Sequence, residues 1–374
     1  MTKQIETHRL PAVSPGTQRF LRLHRYGAGL PRRAYVQASL HANETPAQLA
    51  AVHLLSRLDA ADAAGQIRGE VVVVPAANPI GLDQHGRMGL QGRYHQRSGL
   101  NFNRAWPDLV ALIQEGLSLG ADPHANVATI RAAMHEAVSA LPAVTDDQAL
   151  RRQLTLEACA AELVIDLHCD DVALPYVYVS PRCWPALADL AGDLGARAVL
   201  TALDSGGRSF DEAFSLPWAT LAEAFPGCPV PQATDALTVE LRGAHDVSDN
   251  LAAADADAVF RALARRGFVD ADVPPPRPLR CDATPLEAST TLKAHAPGLV
   301  VYAVPLGAQV AAGDLVAEVI DPTAADPDGA RVAHHAAHAG MVLSRRGHRA
   351  VVPGQALARI VGTEPVQAKP SLDD

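Results

Sequence analysis

His41 and Glu44 stand three residues apart in the segment His41-Ala42-Asn43-Glu44, which follows an apolar run, Ala34–Leu40, and precedes Thr45-Pro46. An imidazole and a carboxylate so spaced at the end of a strand can turn into one crevice, where open α/β sheets bind ligands. Both are ordinary zinc ligands, and a catalytic zinc takes three protein ligands with a fourth position left for water. The competing reading is a plain turn with an N-cap before Pro46. A third ligand stands in Leu163-Val164-Ile165-Asp166-Leu167-His168-Cys169-Asp170, a second apolar run that ends in polar residues. Strand side chains alternate, so Asp166, His168 and Asp170 share a face. His168 is the natural ligand there, with Asp166 or Asp170 behind it to set its tautomer; the alternative is a satisfied core histidine. Glu240 sits near the end of another apolar strand, Leu237-Thr238-Val239-Glu240-Leu241-Arg242-Gly243. A carboxylate is costly to bury there without a function or a partner. We read it as a general base, against a buried ion pair with Arg242 or another arginine.

Arginine is the other chemically suggestive residue. Between Asn78 and Asp108 the chain is loop-like and glycine-rich and carries Arg87, Arg93, Arg97 and Arg104. The guanidinium fork grips both oxygens of a carboxylate at once. Arg87 and Arg97 read first as solvated surface. Asn103-Arg104 lies between Leu100, Phe102 and Trp106, apolar anchors that would hold the pair in place.

These groups need a scaffold. Gln18–Tyr26 and Tyr35–Leu40 read as strands, Pro46–Leu58 as a helix ending near Gly65, and Glu70–Pro75 as a strand covered on both faces. Leu109–Ala161 is helical, with Thr145-Asp146-Asp147 as an N-cap. Tyr176–Ser180 and Ala236–Arg242 are strand-like, Ala186–Leu194 helical, and Asp204–Asp211 a glycine-containing loop. The alternation predicts an α/β fold with a mixed, largely parallel sheet flanked by helices. Residues 1–268 form the expected catalytic domain. Asp270–Pro278 reads as a stiff proline linker, within a boundary region of residues 269–283. Residues 284–363 carry two similar glycine-punctuated strand units, expected to form an all-β barrel-sandwich module. The module is similar to biotinyl and lipoyl carrier domains. However, its connecting segment Asp321–Arg331 holds no lysine to modify. His334, His335, His338 and His348 are read as a polar edge, with a second metal site as the alternative; residues 364–374 are expected to be a disordered tail.

Composition narrows the classes. A hydrophobic content of 48% is ample for a core, and a net charge of −9 with few aromatics argues against nucleic acid as a partner. No run reaches the roughly 18 apolar residues that span a bilayer, and residues 1–16 lack the apolar stretch of a signal peptide. No membrane partner is expected, and a cytoplasmic location is. Cys159, Cys169, Cys183, Cys228 and Cys281 form no CxxC pair, so they read as reduced and mostly buried.

The set His41-x-x-Glu44, Asn103-Arg104, Asp166-Leu167-His168 and Thr238-Val239-Glu240-Leu241-Arg242-Gly243, in this order, resembles the succinylglutamate desuccinylase and aspartoacylase family of zinc amidohydrolases. These are similar in core to zinc carboxypeptidases. The resemblance implies one zinc per chain on His41, Glu44 and His168, with Glu240 activating water. It also implies that Asn103 and Arg104 clamp a substrate carboxylate and that Arg93 of Gly92-Arg93-Tyr94 polarises the scissile carbonyl. Many relatives have glycine in place of Ala42. The spacing from Arg93 to Arg104 is longer than in aspartoacylase, which leaves Arg97 as an alternative counterpart. The implied activity is hydrolysis of the amide of an N-acyl amino acid or related small carboxylate. A zinc carboxypeptidase or esterase is the nearest variant, a binding protein without catalysis the more distant one, and association into a homo-oligomer stays open.

Overall fold

Apolar, β-branched runs alternate with alanine- and leucine-rich segments along most of the chain, and they fold in that alternation. The computed structural model describes residues 2–87, 89–326 and 329–366. It begins with β1 (Gln4–Arg9), β2 (Phe20–Tyr26), β3 (Arg33–Ala38), α1 (Thr45–Ala63) and β4 (Glu70–Val74). After α2 (Pro79–Leu82) and a small ladder of β5 (His85–Gly86) with β6 (Gly89–Leu90) come α3 (Leu109–Ile113), α4 (Pro123–Ser139) and α5 (Asp146–Cys159). There follow β7 (Leu163–Asp170), β8 (Val172–Ala173), β9 (Tyr176–Val179), α6 (Trp184–Leu194) and β10 (Ala198–Thr201). Last in this part come α7 (Phe210–Ala224), β11 (Asp235–Gly243), α8 (Asp249–Arg265) and β12 (Ala283–Pro285).

Nine of these strands form one sheet, in the order β1-β2-β4-β3-β7-β11-β9-β10-β12. The central run β4-β3-β7-β11 and the run β9-β10-β12 are parallel; β1-β2-β4 and β11-β9 are antiparallel. This is the mixed, helix-flanked sheet expected. Residues of α1, α6 and α8 build a core on one face, and residues of α3, α4, α5 and α7 build one on the other. Along β4, Val71 and Val73 enter the first core and Val72 and Val74 the second. Coverage on both faces is why this strand is an unbroken valine run.

α7 and α8 are not anticipated by the sequence reading. α7 is apolar nearly all round and contains Pro217, so it lacks a clean amphipathic stripe, and its start at Phe210 takes in the end of the expected loop Asp204–Asp211. The buried stripe of α8 is largely alanine, Ala252, Ala256, Ala258 and Ala262, a residue at home on either face. The proline-rich stretch after α8 lies against α6. The Arg277 backbone N–H donates to Asp193 at 3.1 Å, and an added Cβ at Gly192 would run into the Arg277 carbonyl oxygen. Glycine is what permits that approach. Beyond it, β12 joins the edge of the large sheet beside β10.

The C-terminal residues form β13 (Ser289–Lys293), β14 (Gly298–Tyr302), β15 (Gln309–Val310), β16 (Leu315–Ile320), β17 (Arg331–His335), β18 (Gly340–Arg345), β19 (Ala350–Val351) and β20 (Ala356–Val361). They make two antiparallel sheets, β13-β20-β18-β15 and β17-β16-β14-β19. β8, just past the end of β7, pairs with β18 through Ala173 opposite Ser344 and Val172 opposite Arg345, which joins this β module to the large domain. The module's histidines are held separately. The His334 Nε2 accepts from the His295 backbone N–H, His335 Nδ1 lies against the Gly313 carbonyl, and His338 Nε2 against the Thr290 hydroxyl. They form no metal-ligating group among the described residues. Residues 367–374 of the expected tail lie outside the described range. No helix of the described residues is long and apolar enough to cross a membrane. The five cysteines are free, three of them buried.

Candidate active site

The site lies at the carboxyl ends of the parallel strands β3, β7 and β11. Just beyond β3, Ser39 takes a positive φ of 67° and turns the chain into the His41–Glu44 loop. The other non-glycine residues with positive φ among those described are Ala105, Arg208 and Arg242. Each adjoins or stands two residues from a group at this site, the clustering expected where backbone strain serves function. Glu44 precedes α1 but makes no side-chain cap bond; its carboxylate turns inward instead. Its Oε1 lies 2.8 Å from His41 Nδ1 and its Oε2 2.7 Å from His168 Nδ1. All three side chains are buried, and one ligand atom from each lies within 4.8 Å of the others. Gly92 lets the neighbouring loop clasp this turn: the Ala42 N–H donates to the Gly92 carbonyl at 3.0 Å, and a Cβ on Gly92 would strike that of Ala42 at 2.5 Å.

The outer nitrogens of the two histidines set what the inner ones can do. His41 Nε2 meets Asn101 Oδ1 at 2.7 Å, and that oxygen also accepts from the Asn103 backbone N–H at 2.8 Å. The amide orientation is thereby fixed, and His41 Nε2 must carry the proton. His168 Nε2 lies 2.9 Å from Asp166 Oδ2 and likewise donates. Asp166, wholly buried, accepts from Gln37 Nε2 at 3.0 Å through Oδ1, and Gln37 Oε1 accepts from the Tyr35 hydroxyl at 2.8 Å. With neutral imidazoles, both Nδ1 lone pairs therefore converge on the Glu44 carboxylate. Three acceptors so directed, with their backing atoms already bonded, fit a divalent cation, and two imidazoles with one carboxylate form a set that suits catalytic zinc. The two histidines hold the Glu44 carboxyl well below its ordinary range despite burial. The carboxylates of Asp166 and Glu44 raise His168 against the pull of burial, whereas burial, with help from the Arg93 charge, lowers His41.

Glu240 stands on β11 directly beside His168 of β7. Thr238 and Glu240 face a cavity that His41, His168, Arg93, Asn103 and Arg104 also line, while Leu237, Val239 and Leu241 enter the opposite core. Between Glu240 and Gly243 the ladder slips, and Arg242 at the slip has φ 126°. Strict alternation would aim Arg242 at the Glu240 face. The bulge instead turns it to α8, where its guanidinium binds both oxygens of Asp255. Glu240 is thus left without the ion pair considered above, and its Oε2 has no hydrogen-bond partner among the described residues. Burial and the charges of Glu44 and Asp170 push its carboxyl up to about 8.

Arg93 reaches the edge of the triad, with Nη1 3.2 Å from Glu44 Oε1. Arg104 lines the cavity and donates to the Asn103 carbonyl at 2.8 Å. Asn103 lines it too, although its Oδ1 accepts from the Phe210 N–H at 2.8 Å and so anchors the start of α7. Arg97 is not in this group. It is largely exposed, and its Nη2 pairs with Asp146 on α5 at 2.8 Å. Asp170 takes the Tyr176 hydroxyl at 2.9 Å, so the partner of His168 is Asp166 and not Asp170.

Residues 31–266 match the model of the succinylglutamate desuccinylase/aspartoacylase catalytic domain. The chain belongs to that family. A family member from Shewanella amazonensis SB2B has the same fold, at 24% identity and a TM-score of 0.83, over 96% of this chain and 98% of that one. One from Shewanella frigidimarina NCIMB 400 matches at 20% and 0.83, over 96% and 97%. The ectoine utilization protein EutE (DoeB) from Ruegeria pomeroyi matches at 19% and 0.68, over 97% and 95%. No curated protein matches.

In this member of the family several site residues are not marked by the sequence pattern. Asn101, which fixes His41, lies in the same segment as Asn103-Arg104. Gln37 is detectable as a polar residue inside an apolar strand, since a buried amide demands partners. Arg151 of α5 supports the loop that carries Asn103 and Arg104, donating to the Arg104 carbonyl at 2.9 Å and stacking over Trp106. Tyr176, Tyr178, Asp211, Glu212 and Arg359 complete the cavity walls, and Arg359 comes from β20 of the β module. Only the fold brings these together.

Proposed function

We propose that this protein is a zinc-dependent deacylase that hydrolyses the amide of an N-acyl amino acid or related small carboxylate. His41, Glu44 and His168 would hold the metal. When bound, it would supply a Lewis acid and a water acidified towards about pH 7. Glu240 takes the proton of the attacking water and delivers it to the departing amine nitrogen, the double role of one positioned carboxyl group. Arg93 faces the developing oxyanion, the stabilisation that is usually largest in acyl transfer. Arg104 and the Asn103 amide hold the substrate carboxylate, and Tyr176 and Tyr178 of β9 line the cavity with them.

The observation that carries this reading is the placement of Glu240. It is a half-buried carboxylate whose Oε2 is buried and unpartnered among the described residues, on the strand beside His168, and it is not paired with Arg242. The test is a panel of N-acetyl, N-succinyl and N-formyl amino acids with zinc-loaded protein, run beside Glu240→Gln. We expect turnover to fall by about 10²–10⁴-fold, mainly in kcat, with zinc content unchanged. Full turnover in the variant would assign the base elsewhere.

A further inference from the structure

One wall of the cavity carries two carboxylates that the deacylase mechanism leaves unused. Asp211 and Glu212 lie in the first turn of α7, only 5% and 7% exposed, and line the cavity together with Ser205, Ser209 and Thr238. Part of their bonding capacity is met locally: Glu212 Oε1 accepts from the Ser205 N–H at 2.8 Å and Asp211 Oδ1 from the Ser209 hydroxyl at 2.7 Å. Glu212 Oε2 and the hydroxyl oxygens of Ser205 and Thr238 are buried with no well-aligned hydrogen bond among the described residues, although the Ser205 hydroxyl lies close enough to Glu212, and that of Thr238 to Asp211, to draw their carboxyls somewhat down. Among those residues, too, no lysine, arginine or histidine nitrogen lies within 4.0 Å of either carboxylate. Burial holds both carboxyls above their ordinary range, with Glu212 pushed up to about 7, and the charge of Asp211 adds to the rise at Glu212. A place in the first turn of a helix eases negative charge, but it gives Oε2 no donor.

Two adjacent buried acids without a cation are costly, and on the wall of a cavity a ligand can supply what the protein omits. The same loop bears on Arg104. Gly207, with φ +77°, stands so close that an added Cβ would lie 2.6 Å from Arg104 Cδ. The arginine proposed to hold the substrate carboxylate is therefore a neighbour of the segment that presents the acid pair. We propose that Asp211 and Glu212 form a cation subsite, so that the amine half of the substrate is an amino acid whose side chain ends in a protonated amine. Its carboxylate lies on Arg104 and its ammonium donates to Glu212 Oε2 and Asp211, with the hydroxyls of Ser205 and Thr238 beside them. The acylated half of this assignment rests on the deacylase reading; the cation subsite does not.

The test separates the two. Calorimetry with zinc-loaded wild type compares free L-ornithine, L-norvaline and L-glutamate, and kcat/KM is measured for their Nα-acetyl derivatives. Ornithine is expected to bind at least about tenfold more tightly than norvaline, as a buried charge-assisted hydrogen bond requires, and glutamate most weakly. Glu212→Gln should shrink the ornithine advantage at least about fivefold and leave norvaline within about twofold; Asp211→Asn serves if that variant unfolds. Equal or tighter binding of norvaline or glutamate by the wild type overturns the proposal without any variant. Ornithine preference with no hydrolysis of any derivative keeps the subsite and removes the deacylase, while hydrolysis without cation preference does the reverse.

Discussion

Asp166→Asn is the sharpest probe of the metal frame because every atom around Asp166 has an assigned partner. The carboxylate accepts on both sides, from Gln37 Nε2 and from His168 Nε2. An asparagine that keeps its oxygen towards His168 points its NH₂ at the Gln37 NH₂, donor against donor. Turning it the other way forces the proton onto His168 Nδ1, the atom meant for the metal. Gln37 can relieve the first clash by rotating its amide, but the Tyr35 hydroxyl, wholly buried, then loses its acceptor. A stranded buried donor costs about 1–3 kcal/mol. Loss of such a partner behind a ligand typically weakens metal binding by roughly 10–100-fold, or about 1.4–2.7 kcal/mol. Competition with a chromophoric chelator measures that affinity, and thermal unfolding measures the stability. Gln37→Glu in the same chain should restore part of the loss. The carboxylate so introduced would accept from both the Tyr35 hydroxyl and the new amide on β7, leaving the oxygen of that amide for His168. Alone, Gln37→Glu sets two carboxylates against each other and should destabilise the protein. Wild-type zinc affinity in Asp166→Asn, or a double variant no better than the sum of the singles, would refute the hydrogen-bond logic.

Arg104→Lys should raise KM for carboxylate substrates at least about tenfold with a smaller effect on kcat, because an ammonium offers no fork; unchanged steady-state kinetics would remove the clamp. Arg97→Ala should leave kcat/KM within about twofold and cost no more than about 1 kcal/mol in urea unfolding, since Asp146 keeps its bond to Arg19 at 2.9 Å. For metal-free protein, Glu240→Gln should be the more stable form near neutral pH. The Glu240 carboxyl ionises near 4.5 when unfolded and near 8 when folded, so stability falls as pH rises between those values and is unaffected below the lower one. The gain should reach about 1–2 kcal/mol at pH 8, discounted because Glu240 keeps some exposure to the cavity, and vanish at pH 4. Urea unfolding at the two pH values checks both sign and window.

The four residues His41, Glu44, His168 and Glu240 were legible because each interrupts an apolar run at its end, where a polar side chain needs a reason. Backbone events decided what spacing left open. A bulge with φ 126° at Arg242 sends that arginine to α8 and leaves Glu240 unpaired, and nothing in the one-letter pattern marks it. The Arg93 and Arg97 alternatives look alike in a glycine-rich loop. Arg97 is drawn off by Asp146, a residue of a helix that the sequence reading gave no chemistry. The sheet was readable from strand-helix alternation, whereas α7 was hidden by Pro217 and its nearly uniform apolarity. The acids it brings to the cavity were hidden with it.

Arg359 faces the cavity from β20, where its ladder partners are Thr291 and Ser344, all within the β module. His41, Glu44 and His168, by contrast, come from the loop after β3 and from β7, all in the large domain. Inheritance can therefore act on the two separately: a substitution at Arg359 or its neighbours alters one wall of the cavity and leaves the hydrogen bonds behind His41 and His168 untouched. A lineage of such proteins is free to drift in the molecules its cavity accepts while the His41–Glu44–His168 group stays under unchanged selection.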